Sequence, residues 1–329
     1  MDTQQYSYTA TYGNPVDDVQ AHITTKRPDV YPIDELAVRR FWQENACGDD
    51  QVGGLHSRFA GDYDTFFTAY DDFRYRNEHH LLKCLAGLDV SGKQVLEIGL
   101  GEGSDSERLI HHGALWSGVD LTPESVARVK TRLTLRELPY QQLRQGSVLS
   151  LPFADDSFDV VFSHGVLHHV PDIRQAQQEI HRVLRPGGEL VIMMYARWSV
   201  NYVISIALIR RAALLLTYPA ARLGLITAGT SGSMLAEHLE SARQIGLFRY
   251  LRLKEFIHHN TDGPANPYSG VYDRRRVRRD FPSFRVNRTY KRFMHAPPLP
   301  LHRLPGQSLA GWHLWAHLVP SHPGADETR

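Results

Sequence analysis

The sequence has few cysteines and no excess of charge of either sign. Two cysteines, Cys47 and Cys84, occur among 329 residues, which is too few for a disulfide framework. Lysine and arginine number 37 and aspartate and glutamate 36, so no overall field favours nucleic acid or an anionic membrane. The opening residues MDTQQYSYTA lack the basic and apolar regions of a signal peptide. These absences favour a folded protein of a reducing, cytoplasmic compartment.

The sequence also lacks a long uncharged apolar run in its most apolar part. That part lies within residues 196–270, where Arg210 and Arg211 interrupt it before it reaches the eighteen residues typical of a membrane span. We therefore expect no membrane span there. The segment is better interpreted as a helical cap inserted over a substrate.

Short apolar runs alternate with amphipathic segments through the middle of the chain. QVLEIG, ALWSGVDL, SFDVVFS and ELVIMMY are predicted strands, and two later runs, FRVNRTYKRF and GWHLWAHLV, are expected to form an antiparallel pair. This alternation predicts an α/β fold with a doubly wound, mostly parallel sheet. The expected segments are a flexible tail (1–30), a helical N-terminal cover (31–89), the core (90–195), the cap (196–270), a final helix with antiparallel strands (271–319) and a tail (320–329).

Three glycines stand between the first predicted strand and the next helix. Gly99, Gly101 and Gly103 allow the backbone to turn sharply and to approach a ligand. Ser104 and Glu107 have the spacing of a capping box, which predicts the start of the helix. The third glycine comes one residue too early for a dinucleotide fingerprint, so a nicotinamide oxidoreductase is disfavoured. A tight turn without a ligand is the alternative.

Two acidic residues lie beside this loop. Asp120 ends the second predicted strand, where a carboxylate can accept hydrogen bonds from both hydroxyls of a ribose, and Glu97 directly precedes the glycines. Two carboxylates would repel a pyrophosphate but suit a ligand that carries a sugar and a cationic amino acid end. S-adenosylmethionine (SAM) is such a ligand.

The chain resembles the class I SAM-dependent methyltransferases of the common small-molecule type. The resemblance implies a seven-stranded Rossmann-like sheet, SAM as cofactor and S-adenosylhomocysteine as product. Two flanking segments look like a bacterial subset of the family, which suggests secondary metabolism. The core segments that carry the resemblance are 95–103, 118–126, 151–172 and 182–195, and the flanks are 39–48 and 261–281.

The resemblance also implies a set of cofactor contacts. Asp120 would hold the ribose hydroxyls and Leu121 would lie against the adenine, with Ser147 and Val148 at the adenine edge. Ser147 departs from the usual pattern, which has an acidic residue there. The other implied cofactor contacts are Glu97, Gly99, Gly101, Gly103 and Ser163.

The methyl acceptor is expected to lie near the histidines of SHGVLHHV, at the end of the third predicted strand. We predict His168, and next His164, as a general base or substrate-positioning group; the alternative is that the histidine pair only packs the loop. No metal site is predicted, because the pair His258–His259 lacks a third ligand with zinc spacing. The predicted acceptor-binding residues are Tyr195, Trp198, Asn201, Tyr202 and His258, although Tyr202 is equally suited to core packing.

A basic segment, residues 273–292, contains nine lysines and arginines and two aspartates. It could hold a carboxylate or phosphates, but its helical spacing also fits an amphipathic surface helix. No nucleic-acid-binding signature accompanies it, so we expect no nucleic acid partner.

The function predicted from the sequence is methyl transfer to a small-molecule or peptide acceptor, most simply O-methylation of a carboxyl or hydroxyl group. N- or C-methylation on the same fold is one alternative. A SAM-binding regulator or partner subunit without catalysis is another. The sequence predicts neither the acceptor nor the oligomeric state.

Overall fold

A seven-stranded sheet forms the centre of the protein. The computed structural model describes residues 34–45, 52–225, 234–299, 301 and 304–321; the predicted tail 1–30, Cys47 and most of the tail 320–329 lie outside them. The strands are β1 (Gln94–Ile98), β2 (Leu115–Asp120), β3 (Gln142–Gln145), β4 (Phe158–His164), β5 (Leu184–Tyr195), β6 (Phe284–Arg292) and β7 (His313–Pro320).

The strand order is β3-β2-β1-β4-β5-β7-β6. Strands β1 to β5 pair in parallel, whereas β7 is antiparallel to both β5 and β6. This confirms the predicted doubly wound, mostly parallel seven-stranded sheet, including its antiparallel final pair. The order reverses between β1 and β4, and open α/β sheets bind their ligands in the crevice at such a point.

Helices cover the sheet on both faces, because alternate strand residues enter two different apolar clusters. Leu96 and Val161 belong to one cluster, and Val95 and Phe162 to the other. The α-helices are Glu35–Glu44, Tyr63–Asn77, His80–Ala86, Ser104–His111, Pro123–Leu135, Ile173–Val183, Arg211–Arg222, Met234–Ile245, Leu247–Tyr250, Leu253–Phe256, Arg274–Asp280 and Gln307–Ala310, and π-helices span Gly54–Arg58 and Asn201–Arg210.

The short edge strand β3 is one element that the sequence analysis did not predict. Its sequence, QLRQ, is polar and mostly exposed, so it has neither the apolar run nor the alternation that marks a strand. The strand pairs with β2 from Ser117 to Asp120, which shows that pairing with the sheet, and not local propensity, determines its conformation.

The predicted capping box at the start of helix Ser104–His111 is not formed. Gly103 occupies the N-cap position with φ of 81° and no side-chain cap bond. The Ser104 hydroxyl instead donates to Asp71 at 2.5 Å, and Glu107 accepts a hydrogen bond from Arg132 at 2.9 Å. Both side chains are used in tertiary contacts, which the spacing alone could not show.

The Arg132 guanidinium connects the helical cover to the core. Its side chain is fully buried, donates to Asp71 at 2.8 and 3.0 Å and to Glu107 at 2.9 Å, and lies 4.4 Å from the ring centre of Phe67. Asp71 and Phe67 belong to the cover helix Tyr63–Asn77, and Glu107 belongs to the helix after the glycine loop. One cation therefore joins three helices.

The predicted cap, 196–270, is helical in most of its described part. Its longest helix, Asn201–Arg222, has 22 residues and a mean hydropathy of 1.5, so by length and composition this helix of the described chain could cross a membrane; 17% of the tested window is buried. Arg210 donates to the Asn260 carbonyl at 3.0 Å and Arg211 to the Leu251 carbonyl at 2.9 Å. Both arginines are thus bonded to the rest of the cap. That this helix does not span a membrane stays a prediction.

We expect Arg132→Met to lower the free energy of unfolding by about 3 kcal/mol, because it removes the cation of Asp71 and leaves Glu107 with Arg136 alone at 3.2 Å. Urea unfolding followed by circular dichroism measures this. Lys93→Met is the matched control, since it breaks the exposed pair with Asp89 and should cost less than about 1 kcal/mol. Equal losses in the two variants would contradict the role given to Arg132.

Candidate functional site

A cavity of about 1280 Å³ opens at the carboxyl ends of the parallel strands. The ends of β1, β2, β4 and β5 and the start of the antiparallel β7 all meet there. Cover helices supply one wall, with Trp42, Arg74 and Glu78, and a loop between β6 and β7 supplies another. The cavity therefore lies at the edge of the sheet where the sequence predicted the ligand.

The glycine loop reaches the cavity through its first two glycines. Gly99 and Gly101 have φ of 79° and 52° and line the cavity. A Cβ atom on Gly99 would lie 2.1 Å from Val166, whereas one on Gly101 would meet no atom within 4 Å. Gly103 does not line the cavity and packs against Val129 and Arg132. Gly101 is thus the position where a ligand can approach the backbone most closely.

Asp120 lines the cavity and also holds the glycine loop. One carboxylate oxygen accepts from the Leu100 backbone N–H at 2.7 Å, and the other accepts from the Thr122 N–H and hydroxyl, both at 2.8 Å. Burial raises the pKa of Asp120, although these hydrogen bonds oppose the rise. A carboxylate has about four acceptor positions, so these bonds leave Asp120 capacity to accept from a ligand.

The apolar residues predicted beside Asp120 are also at the cavity. Leu121 and Val148 both line it, together with Val119. These side chains offer an apolar surface for an adenine ring. With the open backbone at Gly101 and the carboxylate of Asp120, the described residues fit the adenosine part of SAM.

Besides Gly103, three predicted cofactor contacts do not line the cavity. Glu97 is buried and accepts from the Trp116 indole N–H at 2.8 Å, and burial raises its pKa to about 8. The Ser163 hydroxyl donates to the Ile98 carbonyl at 3.0 Å. The Ser147 hydroxyl bonds the carboxylate of Glu35. Their side chains therefore support the structure around the site.

A second acidic residue, Asp105, takes the place at the cavity that was predicted for Glu97. It is bonded to Arg74 at 2.6 Å and lies 3.1 Å from Nδ1 of His164. Burial alone would raise its pKa, but the charge of Arg74 and the hydrogen bonds from Arg74 and His164 outweigh burial and lower the pKa to about 2. Asp105 is therefore ionised at neutral pH.

The histidine that was predicted first, His168, is not at the cavity. It is fully buried, and neither ring nitrogen has a hydrogen-bond partner among the described residues. Burial holds its pKa well below the ordinary value. His164 and His169 line the cavity instead. The prediction of His168 is therefore not supported, because the single 3₁₀ turn Leu167–His169 directs the second histidine of the pair to the cavity.

His169 belongs to a chain of polar contacts. Its Nδ1 lies 2.8 Å from the Tyr268 carbonyl, and its Nε2 lies 3.4 Å from a carboxylate oxygen of Asp262. The other oxygen of Asp262 accepts from the hydroxyl of Tyr195 at 2.6 Å. His169, Asp262 and Tyr195 all line the cavity.

Of the five predicted acceptor-binding residues, Tyr195 alone lines the cavity. Trp198 is 58% exposed and donates to Asp273 at 3.2 Å. Nδ1 of His258 lies 2.9 Å from the backbone of Ser269. Asn201 is buried, and Tyr202 packs against the apolar cluster of the cap. The cap thus contributes Thr261 and Asp262 to the cavity and not the predicted aromatic walls.

Most of the cavity residues that the cover and the last strands contribute were not predicted from the sequence. Arg74 and Glu78 come from the cover, and His295, Trp312 and His313 come from the chain around β6 and β7. Among these, His313 pairs directly with Tyr195 at the end of β5, so the antiparallel register of β7, which the sequence alone does not give, places it at the cavity.

The raised pKa of Glu97 predicts a pH dependence of stability. The folded state keeps a proton up to pH about 8, whereas the unfolded chain releases it near pH 4. The contribution of protonated Glu97 to the free energy of unfolding is therefore complete below pH 4. This contribution, on the order of 4 kcal/mol, is lost as the pH rises toward 8. Glu97→Gln cannot ionise, so its urea unfolding should lack this decline between pH 5 and pH 8. Parallel pH profiles of the two proteins would contradict the assignment.

Comparison with known proteins gives the family of the core. The methyltransferase domain family matches residues 96–192. A phthiotriol/phenolphthiotriol dimycocerosates methyltransferase of Mycobacterium tuberculosis is 39% identical over 158 residues, which are 46% of this chain and 57% of that protein. A Mycobacterium ulcerans protein of the same description, numbered 1, is 36% identical over 161 residues, 47% of this chain and 58% of that protein. The chain thus spans somewhat more than half the length of these relatives.

A crystal structure of a SAM-dependent methyltransferase from Aquifex aeolicus aligns with 78% of this chain and 97% of its own, at 14% identity and a TM-score of 0.45. The matched residues 96–192 include the glycine loop, Asp120 and the histidine loop described above. The core of this chain is therefore a class I SAM-dependent methyltransferase domain, with SAM as its cofactor.

Proposed function

We propose that this chain transfers the methyl group of SAM to an oxygen atom, hydroxyl or carboxyl, of a small-molecule or peptide acceptor in secondary metabolism. The observation that carries the proposal is that one cavity contains both the cofactor-side residues, Gly101 and Asp120, and a separate polar group formed by His169, Asp262 and Tyr195. A cofactor and an acceptor can therefore meet in the same space.

The size and walls of the cavity support an acceptor with apolar surface. Its volume of about 1280 Å³ exceeds the ~300–1,000 Å³ typical of a site for one drug-sized ligand, so space remains beside the cofactor. The walls of that space include aromatic and aliphatic side chains such as Trp42, Phe293, Met294 and Trp312. The two mycobacterial relatives are named for phthiotriol and phenolphthiotriol dimycocerosates, and these names support a small-molecule acceptor.

The polar group of His169, Asp262 and Tyr195 supports proton removal from a hydroxyl. In the tautomer that donates from Nδ1 to the Tyr268 carbonyl, Nε2 of His169 carries a lone pair that can take a proton, and the Asp262 carboxylate 3.4 Å away stabilises the imidazolium that results. A proton taken from an acceptor by the Asp262–His169 pair is then shared between a carboxylate and an imidazole. The Tyr195 hydroxyl holds the other oxygen of Asp262 in place.

Bound SAM supplies an activated methyl group, so the remaining tasks of the protein are alignment and desolvation. Stacked rings contribute to both. Tyr195 stacks on Trp312 with ring centres 4.4 Å apart, and Trp42 lies edge-on to His169 at 5.0 Å. These rings fix the orientation of the polar group.

The test uses His169→Gln with His168→Leu as the matched neighbouring control. With a hydroxyl acceptor, His169→Gln should lower turnover by a factor on the order of 10² to 10⁴, and with a carboxylate acceptor by about tenfold, since no proton has to be removed. His168→Leu should keep turnover within about threefold and should not lower stability, because it removes two buried nitrogens without partners. Calorimetric SAM affinity should stay unchanged in both.

Candidate acceptors with a free hydroxyl, carboxyl or amine on an apolar body are incubated with SAM, and the methylated atom is located by tandem mass spectrometry. Methylation of the amine compounds only would contradict oxygen transfer. A larger loss of turnover in His168→Leu than in His169→Gln would contradict the assignment of His169. Binding of SAM without turnover on any acceptor would favour the regulator alternative.

Asp120 is expected to contribute to SAM affinity through the ribose. Asp120→Asn keeps the size of the side chain but removes its charge and one acceptor, which should weaken binding by about 1.5–3 kcal/mol, roughly 10- to 150-fold. Isothermal titration calorimetry measures this. Glu97→Gln is the control, since that side chain does not line the cavity, and its affinity should stay within about twofold. Equal affinity of Asp120→Asn and the wild type would contradict the ribose contact.

A further inference from the structure

A cluster of two histidines and one glutamate lies in the wall of the cavity, apart from the His169–Asp262 pair. One ligand atom each of Glu78, His164 and His313 lie within 4.8 Å of one another. Tetrahedral ligand atoms at about 2.0–2.2 Å from a zinc-sized ion lie about 3.3–3.6 Å apart, so side-chain rotations that move these atoms by about 1 Å bring the three to a common centre. We propose that these three residues bind a first-row divalent transition metal ion.

The surroundings of His164 supply the second observation. Its side chain is 91% buried, Nδ1 lies 3.1 Å from the Asp105 carboxylate, and Nε2 has no hydrogen-bond partner among the described residues. A metal-binding histidine characteristically donates its other ring N–H to a carboxylate or a carbonyl. His164 has this arrangement, with the unpartnered nitrogen left for the ion.

Arg74 decides between the two tautomers of His164. Its Nη2 atom lies 3.0 Å from Nδ1 of His164 and 2.6 Å from the Asp105 carboxylate. If the arginine donated to Nδ1, the proton on Nε2 would be a buried donor without an acceptor, which is costly. Donation of Arg74 to Asp105 and of Nδ1–H to the same carboxylate leaves no proton of His164 unpaired, and this tautomer presents a lone pair to the ion.

His313 is positioned in a similar way by another histidine. Its Nδ1 lies 3.1 Å from Nε2 of the buried His80, so its Nε2 is the atom left for a ligand. Glu78 and Asp105 carry two negative charges, and the Arg74 guanidinium balances one of them. One negative charge therefore remains beside the imidazoles of His164 and His313. Two imidazoles and a carboxylate suit ions such as Zn²⁺, Fe²⁺ or Co²⁺ better than Mg²⁺ or Ca²⁺.

Three protein ligands leave at least one coordination position open, and all three residues line the cavity. If the proposed function holds, that position is available to an acceptor oxygen, whose pKa the ion would lower. The metal site itself does not depend on this use, so its test contains neither SAM nor acceptor.

The experiment titrates the tag-free full-length chain, stripped with chelator, with Co²⁺ and records visible absorption; Zn²⁺ binding is measured by calorimetry. We expect one ion per chain with micromolar or tighter affinity and a cobalt ligand-field spectrum. Glu78→Gln and His164→Gln should each weaken binding at least 30-fold and change the spectrum. Asp105→Asn, which alters a positioning residue, should weaken it about 10- to 100-fold.

His317→Gln is the matched control, because His317 lies on the same strand as His313 but bonds Glu189 at 2.9 Å, outside the cluster; it should bind both ions like the wild type. Circular dichroism confirms folding of each variant. If His164→Gln does not fold, the loss of metal affinity is measured on Glu78→Gln. Absence of a stoichiometric ion in the wild type would overturn the proposal. So would equal affinity in all cluster variants, which would indicate an adventitious ion only.

Discussion

The buried guanidinium of Arg132 fixes the position of the helical cover, and the site depends on that position. Asp71 accepts from Arg132 and from the hydroxyl of Ser104, while one turn later on the same helix Arg74 bonds Asp105. The cover helix is therefore tied at two adjacent points to the first turn of the helix after the glycine loop. Because a buried cation without its partners is costly, the cover cannot slide along this helix. The cavity wall that the cover carries is fixed with it.

Two acidic residues near the glycine loop show how differently the fold treats similar side chains. Glu97 is buried on strand β1, and burial raises its pKa to about 8. Asp105 lies beside Arg74, whose charge outweighs the effect of burial, so the pKa of Asp105 is lowered to about 2. The strand that carries Glu97 alternates its side chains between the two faces of the sheet, and this register directs Glu97 to Trp116. Of these two acidic residues, Asp105 alone lines the cavity.

The parts of the fold that could be predicted from the sequence are those whose signal is local. The apolar strands, the glycine turn and the carboxylate of Asp120 follow each other within about thirty residues, and a βα unit places them together in any protein that forms it. Arg74 and His313 could not be predicted, because more than two hundred residues separate them and only tertiary packing joins them. The choice between His168 and His169 depends on the rotation of one short 3₁₀ turn, which no sequence period encodes.

The position of β7 in the sheet has a consequence for how the chain is made. This last strand lies between β5 and β6, and β6 pairs with no other strand. During synthesis, which proceeds from the N-terminus, β5 has an open edge and β6 has no partner until β7 emerges. Open strand edges attract other chains, so the nascent protein passes through a stage at which a chaperone or rapid release would protect it. Trp312 and His313 are synthesised at that same stage, after the other residues that line the cavity.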